Sequence, residues 1–316
     1  MTQASRRWLG QLGLGLVLLT VAGVLVNNLS VNLIRTGLGL SFGWLERPAG
    51  FALAEHALPY KPSDSYGWAL LVGWMNSLKV IGAGLVTSTV LGVLAGTARR
   101  SVNPLLRKLA ALYVGLIRQI PLLLQLLFWY FVALLGLPQS NASPLGNLLS
   151  FTNQGIALMG VHLSVEFTAV LLGLSVFTGA SIAEVVRGGL DAVPRGQWEA
   201  FRSLGLSERM GLRRVVLPQA LPAILPGLTS QYLNLAKNST LAIAVGYADL
   251  YAVSDTSITQ TGRAIEGFLL LLLSFLLLNL LINAAMQLLN QTVLRRGQRT
   301  KACRPGKPSR APCAQR

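Results

Sequence analysis

Residues 199–218 read Glu-Ala-Phe-Arg-Ser-Leu-Gly-Leu-Ser-Glu-Arg-Met-Gly-Leu-Arg-Arg-Val-Val-Leu-Pro, a polar interval in a chain that is otherwise far more apolar. It carries Glu199, Arg202, Glu208, Arg209, Arg213 and Arg214, so it must lie in water between two membrane spans. Nothing from Glu199 onward breaks a helix until Gly205, where a left-handed turn can end one helix and Ser207 can cap the next. The spacing predicts two short helices meeting at Gly205. Pro218 and Pro222 are expected to close the segment, because proline has no N–H to donate and restricts the residue before it.

Composition bounds what surrounds this interval. Hydrophobic residues make up 52% of the 316 and charged residues 12%, which is neither a soluble globular nor a disordered pattern. The chain reads as an integral membrane protein. Its formal charge of +16 is not a nucleic-acid signal. The basic residues sit in short segments between apolar runs and in the tail, which is a topology signal, and no soluble domain is present to carry DNA binding. Cys303 and Cys313 lie in the polar tail without histidine or acidic neighbours, so neither a zinc site nor a disulfide framework is indicated and both read as free cytosolic thiols.

Working outward along the chain, six apolar stretches are long enough to cross a hydrocarbon core. The first runs from Trp8 to about Leu33 behind Arg6 and Arg7. A cleaved signal peptide is the rival reading, and it is set aside because hydrophobicity continues past the small residues Val21-Ala22-Gly23. Residues 34–67 form a mixed outer-face loop, with Trp44, Tyr60, Tyr66 and Trp68 suited to an interface. Within it Gly39-Leu40-Ser41-Phe42-Gly43 matches a nucleophile-elbow pattern, but the strand-to-helix context and the order of partners are missing, so a hydrolase is rejected. The second span covers residues 70–97, where Gly92 and Gly96, like Gly84 and Ser88, either permit close helix contact or reflect the general abundance of small residues in such spans. Arg99, Arg100, Arg107 and Lys108 then mark a cytoplasmic loop.

The third span, about Leu109 to Leu135, contains Arg118, Gln119, Pro121 and Gln125. A guanidinium at that depth must snorkel, pair with a neighbour or face a wet path. Residues 136–155 hold Pro138, Asn141, Pro144, Gly146 and Asn153 without a charge and read as an outer loop, and 156–163 as a short interfacial piece. Ser164 opens the fourth helix with Glu166 in its first turn, a place where capping and substrate contact are both open to an acid. The fifth span, about Ile224 to Val245, holds Asn234, Lys237, Asn238, Ser239 and Thr240, which either face a translocation path or bond neighbouring helices. Residues 246–266 are an outer loop, and Leu269–Leu289 is a featureless, lipid-facing sixth span. From residue 295 to 316 a basic, proline-containing tail is expected to be disordered, either merely solvated or touching anionic lipid. Six spans with both ends inside put every basic cluster on the cytoplasmic face.

The interval at 199 resembles the cytoplasmic loop of the permease subunits of ATP-binding-cassette importers, which runs Glu-Ala-Ala, three residues, Gly, nine residues, Ile-x-Leu-Pro. Phe201 stands for the second alanine and Val215 for the isoleucine. Arg118-Gln119-Ile120-Pro121-Leu122-Leu123-Leu124-Gln125 resembles the Arg-Gly-Thr-Pro-Leu-Leu-Val-Gln signature of the polar amino-acid subfamily (histidine, glutamine and general amino-acid permeases), with Gln119 and Ile120 replacing Gly and Thr. Asn234-Leu235-Ala236-Lys237-Asn238-Ser239-Thr240-Leu241 is similar to that subfamily's Asn-Leu-x-Lys-Asn-Thr-Ser-Leu, and Ala183-Glu184-Val185-Val186-Arg187-Gly188-Gly189 to its Ala-Glu-x-x-Arg-Gly-Gly. The resemblance covers about 70–290.

It implies an all-α, type I importer permease fold: a span at 1–33, an extracytoplasmic loop at 34–67, a permease core at 68–294 with its cytoplasmic coupling loop at 184–218, and the tail at 295–316. It implies that residues 197–210 dock on an ATPase subunit through Glu199, Ala200, Phe201, Gly205 and Leu206. Arg118, Gln119, Gln125, Asn234, Lys237 and Asn238 are the candidates for the translocation path. The other implied partners are a second permease subunit (copy or paralogue), an extracytoplasmic substrate-binding protein and the lipid of a bacterial inner membrane. No Gly-x-x-x-x-Gly-Lys-Ser/Thr occurs, so ATP and Mg belong to the partner and this chain is a transporter subunit rather than an enzyme, without a cofactor or metal of its own. An ion-gradient-driven secondary amino-acid transporter is the alternative, for which Glu166 is the one candidate carboxylate.

Overall fold

The computed structural model describes residues 3–35, 39–137, 149–152, 155–158 and 161–302. The expectations resting on Pro138, Asn141, Pro144, Gly146, Asn153, Cys303, Cys313 and the tail beyond Ala302 lie outside the described residues.

Two helices, α2 (Tyr66–Ala98) and α5 (Val165–Asp191), form the centre. Each begins at a serine whose side chain caps it: Ser65 accepts from the Trp68 N–H at 3.3 Å, and Ser164 from the Phe167 N–H at 3.0 Å. They run side by side in the same direction. The Thr87 and Ser175 hydroxyls meet at 2.5 Å, and further along Gly92 faces Ile182 while Gly96 faces Ala183 and Val186. A Cβ at Gly92 would stand 2.4 Å from the Ile182 side chain, and one at Gly96 would stand 2.7 Å from the Ala183 carbonyl oxygen. Of the two readings of these glycines, close packing is the one realised: bare backbone lets the helices approach where lipid supplies no hydrophobic drive.

The remaining helices pack around this pair. Among the described residues, four helices are long and apolar enough to cross a membrane: residues 10–32 of α1 (Gln3–Arg35), α2, α5, and residues 264–293 of α10 (Ala264–Ala302). A fifth passage is broken. α3 (Pro104–Ile117) and α4 (Leu122–Leu127), the latter continued by a π-helical stretch at Phe128–Leu134, meet at 106°. The continuous span expected at 109–135 is therefore two helices joined at a bend, because Pro121 has no N–H and can only begin a new helix after Arg118-Gln119-Ile120. α8 (Leu217–Asn238) has 22 residues, about 33 Å, but Gln219, Gln231, Asn234, Lys237 and Asn238 dilute its hydropathy. It is long enough to cross a hydrocarbon core but is not among the helices apolar enough to do so, so the described residues give four spans, or five with the bent pair.

Four further expectations are revised. Pro218 and Pro222 do not close the loop: α7 (Glu208–Gly211) runs through a π-helical stretch at Leu212–Val216 into α8, with Pro218 in its first turn and Pro222 and Pro226 inside it. The wide π turn has already moved the hydrogen bonds out of register, since the Leu217 N–H reaches back to Leu212 O, and a first-turn proline forfeits no bond. Residues 246–266 are not a loop throughout. Asp249 caps a helix, α9 (Leu250–Thr261), that lies on α2 where Gly73 leaves room for Val253. Residues 149–163 hold three short antiparallel strands, β1 (Leu149–Thr152), β2 (Gly155–Leu158) and β3 (Val161–Leu163), beside the otherwise helical body. α10 continues to Ala302, into the stretch expected to be tail.

The fold thus has two distinct ends. One gathers Arg99, Arg100, Glu184, Arg187, Asp191 and the helices that follow α5. The other gathers Ser65, Ser164, Tyr247 and Asp249, with the 43–65 segment folded over it through Trp44, Tyr60 and Tyr66. Ser41, of the rejected elbow pattern, donates its backbone N–H to Glu266 at 3.1 Å and stands in no strand-to-helix turn.

Candidate coupling site and polar intramembrane positions

At the basic end, α6 (Arg195–Ser203) follows Pro194, whose missing N–H costs nothing at a helix start. It ends in a Schellman turn: Leu206 N–H donates to Phe201 O at 3.1 Å and Gly205 N–H to Arg202 O at 2.9 Å. Gly205 takes φ +69°, the left-handed conformation that costs a residue with a Cβ about 1–2 kcal/mol. Ser207 accepts the Met210 N–H at 3.4 Å and starts α7. The two helices joined at Gly205 are those the spacing predicts.

Phe201 pins this knuckle to the body. Its ring is 1% exposed, in a cluster with Val186, Leu190, Val193, Val216, Ala220 and Met286, a burial worth about 2–3 kcal/mol. It lies over Gly211, where a Cβ would be 2.2 Å from the ring, and against Trp198 at 5.9 Å between centroids. Leu206 is half-buried beside it, whereas Glu199, Ala200 and Gly205 are exposed. Two large apolar side chains share that exposed surface: Leu204 is 77% exposed and Met210 41%. Neither was singled out from the sequence, although each flanks the glycine turn. The ion pair of Arg202 with Glu208, 2.7 Å across the turn, is half in solvent and contributes little.

A chain of charges lies behind the knuckle. Arg99 pairs with Glu184, Glu184 with Arg187 at 2.5 Å, Arg187 with Asp191 at 2.7 Å, and Asp191 with Arg100 at 3.0 Å. The Arg100 guanidinium then lies 4.9 Å from the Trp198 ring. Glu184 and Arg187 belong to the Ala-Glu-x-x-Arg-Gly-Gly motif, which does not by itself reveal this chain of charges. The signal available was their spacing with Asp191, which puts all three on one helical face.

The six polar positions expected along a path separate into two groups, and no hydrogen bond or ion pair among the described residues joins one group to the other. Arg118 and Gln119 are exposed at the α3–α4 bend, where Arg118 is the C-terminal cap of α3. Gln125 is buried and holds the bend: its Nε2 donates to Ile117 O at 2.9 Å and Ile120 O at 3.0 Å, carbonyls at and just beyond the end of α3. Its Oε1 has no partner among the described residues. Asn234 and Lys237 are exposed near the C-terminal end of α8, and Asn238 is half-buried. Lys237 borders a groove of about 530 Å³ with Thr240, Phe268, Leu272, Phe275 and Asn279. Glu166, in the capped first turn of α5, accepts the Tyr130 hydroxyl at 3.4 Å.

Residues 88–295 match the family described as the inner membrane component of binding-protein-dependent transport systems. The chain is 34% identical to an amino-acid ABC transporter permease protein of Escherichia coli K12, YhdX, covering 91% of this chain and 94% of that one. It is 35% identical to the general L-amino acid transport system permease protein AapQ of Rhizobium johnstonii, over 76% and 80%. Among solved structures, an amino acid ABC transporter with histidines matches at TM-score 0.57 and 26% identity, covering 72% of this chain and 95% of that one. The MetNI methionine ABC transporter in an inward-facing conformation matches the fold at TM-score 0.56 and 22% identity, over 72% and 96%. With the glycine-hinged knuckle at one end of a bundle of membrane helices, the chain belongs to the inner membrane components of binding-protein-dependent transport systems, the permease subunits of ATP-binding-cassette importers.

Proposed function

We propose that this chain forms half of the translocation path of an ATP-driven amino-acid importer and receives the work of ATP hydrolysis through the knuckle at 195–211. The observation that carries the reading is the knuckle's two faces. Phe201 anchors one in the body, while Glu199, Leu204, Gly205 and Met210 stand on the other, offering apolar contact and charge to a partner. ATPase closure moves the permease only if the two states of the ATPase contact that face differently. The knuckle and all the basic clusters would lie in the cytoplasm of a bacterial cell, with both termini on that side of its inner membrane. A second permease subunit, a copy or a paralogue, would complete the path, and an extracytoplasmic binding protein would deliver the amino acid.

Arg118 and Gln119 at the bend, and Asn234, Lys237 and Asn238 on α8, are the groups that would meet the substrate, with Gln125 setting the bend that presents the first pair. A guanidinium and an ammonium at these depths suit the α-carboxylate that every amino acid carries. The experiment is substrate-stimulated ATP hydrolysis and uptake in vesicles holding the whole complex. Glu199→Arg and Gly205→Asp are expected to abolish both, and unchanged rates in the two variants would overturn the coupling role.

A further inference from the structure

Along the chain α6 is joined to α5 before it and α7 after it, yet the basic end ties it to α2 as well. Arg100, just beyond the end of α2, holds Asp191 of α5 at 3.0 Å with one face of its surroundings and lies over the Trp198 ring of α6, 4.9 Å from its centroid, with the other. Its neighbour Arg99 closes the same chain of charges through Glu184, Arg187 and Asp191. The five groups alternate in sign and are 20–38% exposed: Glu184, Arg187 and Asp191 each pair with two neighbours of opposite charge, Arg100 with Asp191 and the Trp198 face, and Arg99 with Glu184. Trp198 is fixed in turn, packed on Phe201.

We propose that Arg100 is a positioning residue that makes the coupling helix carry α2 along with α5. The inference rests on the coupling role proposed for the knuckle and specifies how a displacement there spreads. A push on α6 would reach α5 through the chain and the Phe201 cluster, and would reach α2 through the guanidinium shared by Asp191 and Trp198. Gly92 and Gly96 clamp α2 to α5 over the adjoining turns, so the two helices would turn as one unit only while their ends stay locked. A planar guanidinium can stack on an indole and pair with a carboxylate together, whereas an ammonium keeps the pair and stacks less well.

The test uses the reconstituted complex and reads amino acid moved per ATP hydrolysed. Arg100→Ala is expected to leave ATPase binding and basal hydrolysis unchanged, since the exposed face of the knuckle is untouched, and to lower the uptake per ATP by roughly three- to tenfold. Arg100→Lys is expected to fall between the two. Because loss of a surface pair can also loosen the fold, Trp198→Leu and the double variant are measured beside it. A relay through the stack makes the double variant no worse than the poorer single variant, while two independent structural losses add. Full coupling in Arg100→Ala, or additive losses in the double variant, would overturn the inference. If Gly205→Asp abolishes coupling in the same vesicles, the coupling role survives that failure. If Gly205→Asp also has no effect, the coupling role itself falls.

Discussion

The Phe201 ring occupies the place a side chain at position 211 would need: a Cβ on Gly211 would lie 2.2 Å from Phe201 Cδ2. The two residues stand on opposite sides of the glycine turn, so the knuckle closes only because one is large and the other bare. Gly211→Ala must displace the ring, at a cost of about 1–3 kcal/mol. Phe201→Ala leaves a cavity instead, at about 3–5 kcal/mol. Both are expected to raise protease sensitivity between residues 195 and 215 and to lower ATP-coupled uptake, the second more strongly. Wild-type proteolysis in Gly211→Ala would show that the ring does not lock the turn.

Gly205 carries the turn itself. Nothing lies within 4 Å of a Cβ placed there, so a substitution is opposed by backbone conformation rather than by crowding. At φ +69°, Gly205→Ala is expected to cost about 1 kcal/mol, Gly205→Val more, and Gly205→Asn least, because asparagine tolerates the left-handed region. The order Asn, Ala, Val in residual uptake checks this. An order that follows side-chain volume without regard to asparagine would point to a docking clash instead.

This turn was legible because its signals are local: a glycine, a serine two residues on, and charges on both sides. α9 was not. Asp255, Thr256, Ser257, Thr259, Gln260 and Thr261 read as loop, yet Leu250, Val253, Ser254 and Ser257 line one buried face. The Ser257 and Thr261 hydroxyls bond back to their own helix, to Val253 O at 2.7 Å and Ser257 O at 2.6 Å, which lets polar residues sit where apolar ones are expected, while the buried Ser254 Oγ has no partner among the described residues. The bend at Pro121 was visible as an interruption, but its angle was not, because the apolar runs on either side are equally greasy. The site divides the same way. Arg118 and Lys237 stand out by charge, whereas the pairing of Arg100 with Trp198 joins residues almost a hundred positions apart, and only the parallel course of α2 and α5 brings them together.

That parallel course makes a sharp prediction about glycines in α2. Gly92→Leu would drive a side chain into Ile182 at the tightest point of the crossing, while nothing lies within 4 Å of a Cβ at Gly82. Gly92→Leu is expected to abolish accumulation of folded protein, and Gly92→Ala to lower the thermal midpoint in detergent. Gly82→Ala should be neutral or slightly stabilising, since it removes glycine from a helix interior. Equal midpoints for the Gly92→Ala and Gly82→Ala variants would show that helix propensity, not the α2–α5 contact, decides.

The last prediction concerns pH and a carboxyl outside the spans. Asp249 accepts the Ala252 N–H with Oδ1 at 2.8 Å, is fully buried, and has no partner for Oδ2 among the described residues. Burial pushes its pKa up to about 7, against the pull of the backbone N–H groups that favour the anion. An unfolded aspartate gives up its proton near pH 4, so between about 4 and 7 the folded chain holds a proton that the unfolded chain has lost. Its contribution is full below that window and is lost as pH rises through it, by at most about 4 kcal/mol. Asp249→Asn keeps an acceptor for the Ala252 N–H and cannot ionise. The thermal midpoint of the wild type in detergent is expected to fall between pH 5 and pH 8, and that of Asp249→Asn to fall distinctly less. Parallel slopes in the two proteins would show that Asp249 is ionised throughout, its unpaired oxygen solvated rather than protonated.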